Sequence, residues 1–157
     1  MKKVHVVLAT VIIILALSGY AHANWVIKIG DGVGPIKLGM KYDEVLKKLG
    51  RPGDVSKGEG FITITYFRYK IAFIVGAEGK IISIGVMSAR YYTMSGIKVG
   101  RYLKFLTEEL GQPNSETTTP DDSKQYIWNS GMGVVTTKKG LVKAIFIFKA
   151  DSEVKMF

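Results

Sequence analysis

Apolar residues Tyr42, Val45, Leu46 and Leu49 fall at i, i+3, i+4 and i+7, the spacing of one buried stripe on an amphipathic helix. Lys41, Asp43, Glu44, Lys47 and Lys48 occupy the other face, and Glu44 with Lys48 makes a favourable i,i+4 pair. Gly50 is placed to close that helix in a left-handed conformation, and Pro52 prevents its continuation. Beyond Pro52 the apolar period changes from 3.6 to 2. Strands are predicted over 61–67, 71–75 and 80–86, separated by turns near Tyr69-Lys70 and at Gly76-Ala77-Glu78-Gly79.

The same order then recurs. A helix is predicted over 102–110 on a stripe of Leu103, Leu106 and Leu110, followed by strands over 125–129, 132–137 and 141–149. Ile36-Lys37-Leu38-Gly39 through Leu49-Gly50-Arg51-Pro52 matches Ile97-Lys98-Val99-Gly100 through Leu110-Gly111-Gln112-Pro113. The identities are Ile, Lys, Gly, Leu, Gly and Pro, residues that make a strand entry, a turn, a buried helical contact, a helix stop and a breaker. Without gaps, Phe67 aligns with Trp128, Gly79 with Gly140 and Ile84 with Ile145. The chain therefore reads as α+β, with two tandem repeats of a helix plus an antiparallel three-strand meander. Each repeat is two-layered, and the sheets are expected to join edge to edge into one curved sheet. The first repeat spans 36–88 and the second 97–150. A connector covers 89–96, a strand and Gly-rich loop 24–35, and a tail 151–157.

The N-terminus changes the picture of where the fold begins. Lys2 and Lys3 precede an almost wholly apolar run from Val6 to Leu17, and Ala21-His22-Ala23 supplies small residues before a cut. That order predicts a secretory signal peptide over 1–23, cleaved after Ala23, and an exported, periplasmic or secreted mature form that does not span a membrane. Removing Lys2 and Lys3 lowers the formal net charge from +9 to +7, since residues 1–23 hold no Asp or Glu. A basic exported protein is drawn to anionic surfaces, and export argues against a nucleic-acid partner.

The only histidines, His5 and His22, lie in that segment, and the chain has no cysteine. Most nucleophile–base pairs and zinc sites are thereby excluded, and no cofactor is expected. Gly30-Asp31-Gly32-Val33-Gly34 lacks the spacing of a dinucleotide fingerprint and is followed by Pro35, so it reads as a flexible connector. Asp43-Glu44 and Glu108-Glu109 read as solvated helix faces. Asp121-Asp122 lies in a polar loop without the alternating ligands of a calcium site.

Positions where the two copies differ are more informative. Lys41 and Glu44 of the first helix become Tyr102 and Phe105 in the second, three apart and off the main stripe. Either they pack against the connector or they form an exposed aromatic patch, the mark of an interaction site. Arg90, Tyr91 and Tyr92 in the connector combine residue types enriched at binding hot spots, and Lys98 and Arg101 follow. These seven residues are the candidate partner-binding set.

The pattern Ile-Lys-Leu-Gly-Met-(x)8-Leu-Gly-Arg-Pro, followed by a meander and then repeated, resembles the small exported domains of the β-lactamase-inhibitor-protein and BamE/SmpA type. The resemblance covers roughly 36–149. It implies a helix packed on an antiparallel sheet and a module that binds proteins or envelope components without catalysis. BamE-like proteins usually carry one unit and a lipid-anchoring Cys, and this chain has neither trait. The expected function is a non-catalytic binding protein for a protein or an anionic envelope component. The alternatives are an inhibitor of a secreted or periplasmic hydrolase and a carboxylate-dependent enzyme.

Overall fold

A computed structural model describes residues 25–150; the segment predicted to be a signal peptide and the tail 151–157 lie outside the described residues. The architecture is mixed α+β, with two helices and two sheets among the described residues and strand predominating. In chain order the elements are β1 (Val26–Lys28), β2 (Gly32–Val33), β3 (Ile36–Lys37), α1 (Tyr42–Leu49), β4 (Asp54–Lys57), β5 (Phe61–Tyr66), β6 (Ile71–Gly76) and β7 (Ile81–Val86). They continue with β8 (Tyr92–Thr93), α2 (Leu103–Leu110), β9 (Ser115–Thr118), β10 (Lys124–Trp128), β11 (Met132–Thr136) and β12 (Val142–Phe148).

Eight strands form one sheet in the order β4-β5-β6-β7-β12-β11-β10-β9, antiparallel at every pairing. At its centre β7 pairs with β12 so that Ile84 faces Ile147, Gly85 faces Phe146 and Val86 faces Ile145. Ile84 and Ile145, like Val86 and Ile147, are 61 positions apart, so this register is self-complementary about the Gly85–Phe146 pair. The register irregularity at Ile74/Val75 against β7 reappears at Val135/Thr136 against β12.

Alternate residues of these strands, among them Ile64, Phe73, Val75, Ile84, Val86, Val134, Ile145 and Ile147, join Val45 of α1 and Leu106 of α2 in one core. Trp25 stacks on Tyr69, and Ile27, Val33, Ile36, Tyr91 and Ile97 belong to the same core. The small sheet, ordered β3-β2-β1-β8, therefore packs with the helices on that face.

The helices end alike. Gly50 and Gly111 both have φ 77°, with ψ −158° and −172°. This is not the left-handed helical geometry expected from the sequence. It is a region with positive φ and extended ψ that a Cβ essentially forbids. Each glycine donates its N–H back into the last turn, Gly50 to Leu46 O at 2.8 Å and Gly111 to Thr107 O at 3.0 Å. A strand side chain then takes the glycine carbonyl: Tyr66 Oη donates to Gly50 O at 2.9 Å, and Trp128 Nε1 to Gly111 O at 3.0 Å.

That pairing corrects the gapless alignment of Phe67 with Trp128. Phe67 is 65% exposed and Trp128 3%. Tyr66 is the residue that corresponds to Trp128, facing Ile71 as Trp128 faces Met132. The β9–β10 connection is one residue longer than its counterpart, because Lys57 pairs with Ile62 but Thr118 with Lys124. The following turn is one residue shorter, and the two changes cancel. A one-residue slip would otherwise have turned every β10 side chain to the wrong face.

Two further expectations change. Each helix is followed by four strands rather than three, since β4 and β9 form the sheet's outer edges. The Gly-rich segment is not a loose connector: Gly32 and Val33 form β2, paired on both sides. A Cβ on Gly32 would lie 2.3 Å from Ile36 O, so glycine is required there by the close approach of β3.

Candidate functional site

The start of α2 is held from both sides by backbone. Gly100 N–H donates to Val142 O at 2.8 Å, Val142 N–H to Arg101 O at 2.8 Å and Leu103 N–H to Gly140 O at 2.9 Å. Tyr102 forms an isolated bridge to Leu141. This clamp fixes the chain while leaving Tyr102 51% and Phe105 40% exposed. Both side chains are thus exposed, and Phe105 also borders the connector at Ser95 and Gly96.

Two cations flank the Phe105 ring, with Arg101 Cζ 5.4 Å and Lys104 Nζ 5.0 Å from its centroid. On one side, Phe105 and Arg101 border a hollow of about 190 Å³ that also contacts Ser95, Gly96, Glu108 and Glu109. On the other, Tyr102, Leu103 and Lys104 meet Lys139 and Gly140 around a hollow of about 330 Å³. These are at or below the small end of the range for pockets that engulf a ligand. Both are better suited to surface contact than to enclosing a substrate.

The seven candidate residues do not come together as one site. Arg101, Tyr102 and Phe105 form the patch at the start of α2, whereas Lys98 is bridged to Tyr92 beside the small sheet. Arg90 is exposed in the connector, where its backbone N–H approaches Ser88 Oγ. Tyr91 is buried against Trp25, with ring centroids 6.0 Å apart, and its hydroxyl donates to Tyr69 O. Burial pushes the Tyr91 phenol up to about 12. It is a core residue and not a partner contact. Tyr92 is half-buried in β8, opposite Val26 of β1. Lys139 was absent from the candidate set, because only the β11–β12 turn brings it beside Lys104.

Hydrogen bonds from Thr119, Ser123 and Lys143 hold Asp121 far below the usual carboxylate range. Lys80 lowers Glu78 in the same way. Among the described residues no group of three or more His, Cys, Asp or Glu is placed to hold a metal ion. No helix among them is long and apolar enough to cross a membrane.

No family model matches the chain, and no curated protein matches it. Solved structures show the fold. A DUF4309 family protein, YjgB, from Bacillus subtilis is similar with a TM-score of 0.54 and 13% identity, over 76% of this chain and 88% of its own. The uncharacterized protein yfeY from Escherichia coli is similar with a TM-score of 0.53 and 11% identity, over 78% of this chain and 100% of its own. An extracellular protein containing a SCP domain from Bacillus anthracis matches with a TM-score of 0.49 and 11% identity. That match covers 71% of this chain but only 44% of the other, so this chain spans less than half of that protein's length.

Proposed function

We propose that this chain is an exported, non-catalytic binding protein, built from a duplicated helix-and-strand unit whose halves join through β7 and β12 into one curved sheet. The recurrence of backbone contacts supports the duplication. Gly39 N–H donates to Ile81 O as Gly100 does to Val142 O, and Tyr42 N–H to Gly79 O as Leu103 does to Gly140 O. The partner is a protein or an anionic envelope component. The resemblance to exported binding modules of the β-lactamase-inhibitor-protein type supports this reading, as does the absence of His and Cys beyond residue 23.

The single observation that carries the reading is the exposure of Tyr102 and Phe105 between Arg101 and Lys104, where the first helix presents Lys41 and Glu44. Large aromatic side chains with adjacent cations are enriched at binding surfaces, and exposing them in isolation gains the fold nothing. Capture from an envelope extract by the immobilised chain 24–157 tests it. Tyr102→Ala with Phe105→Ala should abolish capture, whereas Lys41→Ala with Glu44→Ala should not. Equal capture by both double variants would remove this surface from the proposal.

A further inference from the structure

We infer that the patch at the start of α2 docks on an anionic lipid bilayer, an inference that rests on the binding role proposed above and names its partner class. Among the described residues, Arg101, Lys104 and Lys139 make no ion pair; the five salt bridges there use Lys37, Lys80, Lys124, Lys138 and Lys143. Arg101 and Lys104 flank Phe105, and Lys139 meets Lys104 across the second hollow, so three unneutralised cations gather at the start of one short helix. Beside them lies the turn Thr93–Gly96, held by Gly96 N–H donating to Thr93 O at 2.9 Å. A Cβ on Gly96 would sit 3.8 Å from Arg101 Nη2, so this turn abuts the guanidinium. Its tip is Met94, 86% exposed.

The charge order along the helix points the same way. A helix favours acids in its first turn and bases in its last, and α1 obeys with Asp43 and Glu44 first, Lys47 and Lys48 last. The first turn of α2 has no acid and its last turn no base. Lys104 sits early, and Glu108 and Glu109 sit late. Such an order costs the isolated fold some stability and is relieved when negative charge arrives at the start of the helix. Departures from local rules of this kind concentrate at functional sites.

The partner must supply distributed negative charge together with an apolar medium for Met94, Tyr102 and Phe105. A free anion supplies only the first. An acidic protein would have to offer separate pockets for three projecting side chains from two elements. A bilayer interface offers headgroup phosphates to the cations and the acyl boundary to the apolar tips in one surface. Glu108 and Glu109 line the same hollow as Arg101, Phe105 and Gly96, so negative charge bounds the contact on that side of the patch.

The test uses chain 24–157, which retains every described element, in flotation with vesicles of phosphatidylglycerol mixed with phosphatidylcholine and with vesicles of phosphatidylcholine alone. Binding is expected to the anionic vesicles only and to weaken as salt is raised. Arg101→Gln with Lys104→Gln should lower it roughly thirtyfold, at about one kcal/mol per cation near the surface. Lys47→Gln with Lys48→Gln, an equal charge loss on α1, should lower it about twofold at most, since those cations lie outside the patch. Circular dichroism confirms that each variant is folded. Equal binding to neutral vesicles, or no difference between the two double variants, overturns the inference. So does release by inorganic phosphate beyond the effect of chloride at equal ionic strength, which would assign a free-anion site. Release by polyglutamate at that ionic strength would assign an acidic polypeptide and also overturns it. If vesicles fail while capture of an envelope protein still depends on Tyr102 and Phe105, the bilayer falls and the binding role stands; if both fail, both fall.

Discussion

The two helices share a length, a glycine exit and a latch from the sheet, yet they present opposite surfaces. α1 is charged outside, with acids at its start and bases at its end; α2 carries Tyr102 and Phe105 outside and reverses the charge order. Both keep one fully buried core contact, Val45 in the first and Leu106 in the second. What the halves share is what the fold needs in order to close. Where corresponding buried positions differ, as Val45 and Leu106 or Tyr66 and Trp128 do, both stay apolar or aromatic; the exchange of Lys41 and Glu44 for Tyr102 and Phe105 lies in solvent.

The latches offer the hardest way to break the comparison. Trp128→Ala removes a large buried ring and the donor to Gly111 O, and should cost about 3–5 kcal/mol in urea unfolding. Tyr66→Phe deletes only the hydroxyl that bonds Gly50 O, and should cost about 1 kcal/mol. If the tyrosine change costs as much as the tryptophan change, the two latches are not equivalent supports.

The joint around Tyr91 gives a pH test. Its phenol is raised to about 12 when folded, so the neutral form is the one the fold favours. The associated stability is present below the ordinary tyrosine pKa near 10 and is lost as pH rises from there towards 12. Unfolding midpoints measured across that window should fall, and Tyr91→Phe should flatten the decline.

Surface charge gives the smallest effects, but with opposite signs. Glu109→Lys places a base in the last turn of α2 and should raise stability by about 0.3–1 kcal/mol. Lys48→Glu removes a base from the equivalent turn of α1 and should lower it by a similar amount; the Glu44–Lys48 pair expected from the spacing is not among the ion pairs of the described residues. Chemical denaturation of the two variants side by side checks the signs.

Much of this fold was legible in the sequence because the central strands and both helices bury one face, which imposes a period. β4 and β9 escaped notice because every residue in them is exposed, so neither Asp54–Lys57 nor Ser115–Thr118 carries an alternation. Trp128 was assigned the wrong counterpart because two turns differ in length by compensating single residues, which leaves the flanking identities aligned. Tyr91 and Tyr102 look alike as residue types; only the packing of Trp25 against one and the bridge to Leu141 at the other separate core from surface. Lys139 reaches the patch through a turn far along the chain, and no local pattern announces that contact.

The claim that the fold lives in the shared positions, and binding in the divergent ones, is tested most directly by giving α2 the surface of α1. Tyr102→Lys with Phe105→Glu does this at two exposed positions. The account predicts a urea unfolding free energy within about 0.5 kcal/mol of the parent, together with loss of capture from the envelope extract. Retained capture, or a loss of stability above about 2 kcal/mol, would contradict it by showing that these aromatics belong to the scaffold.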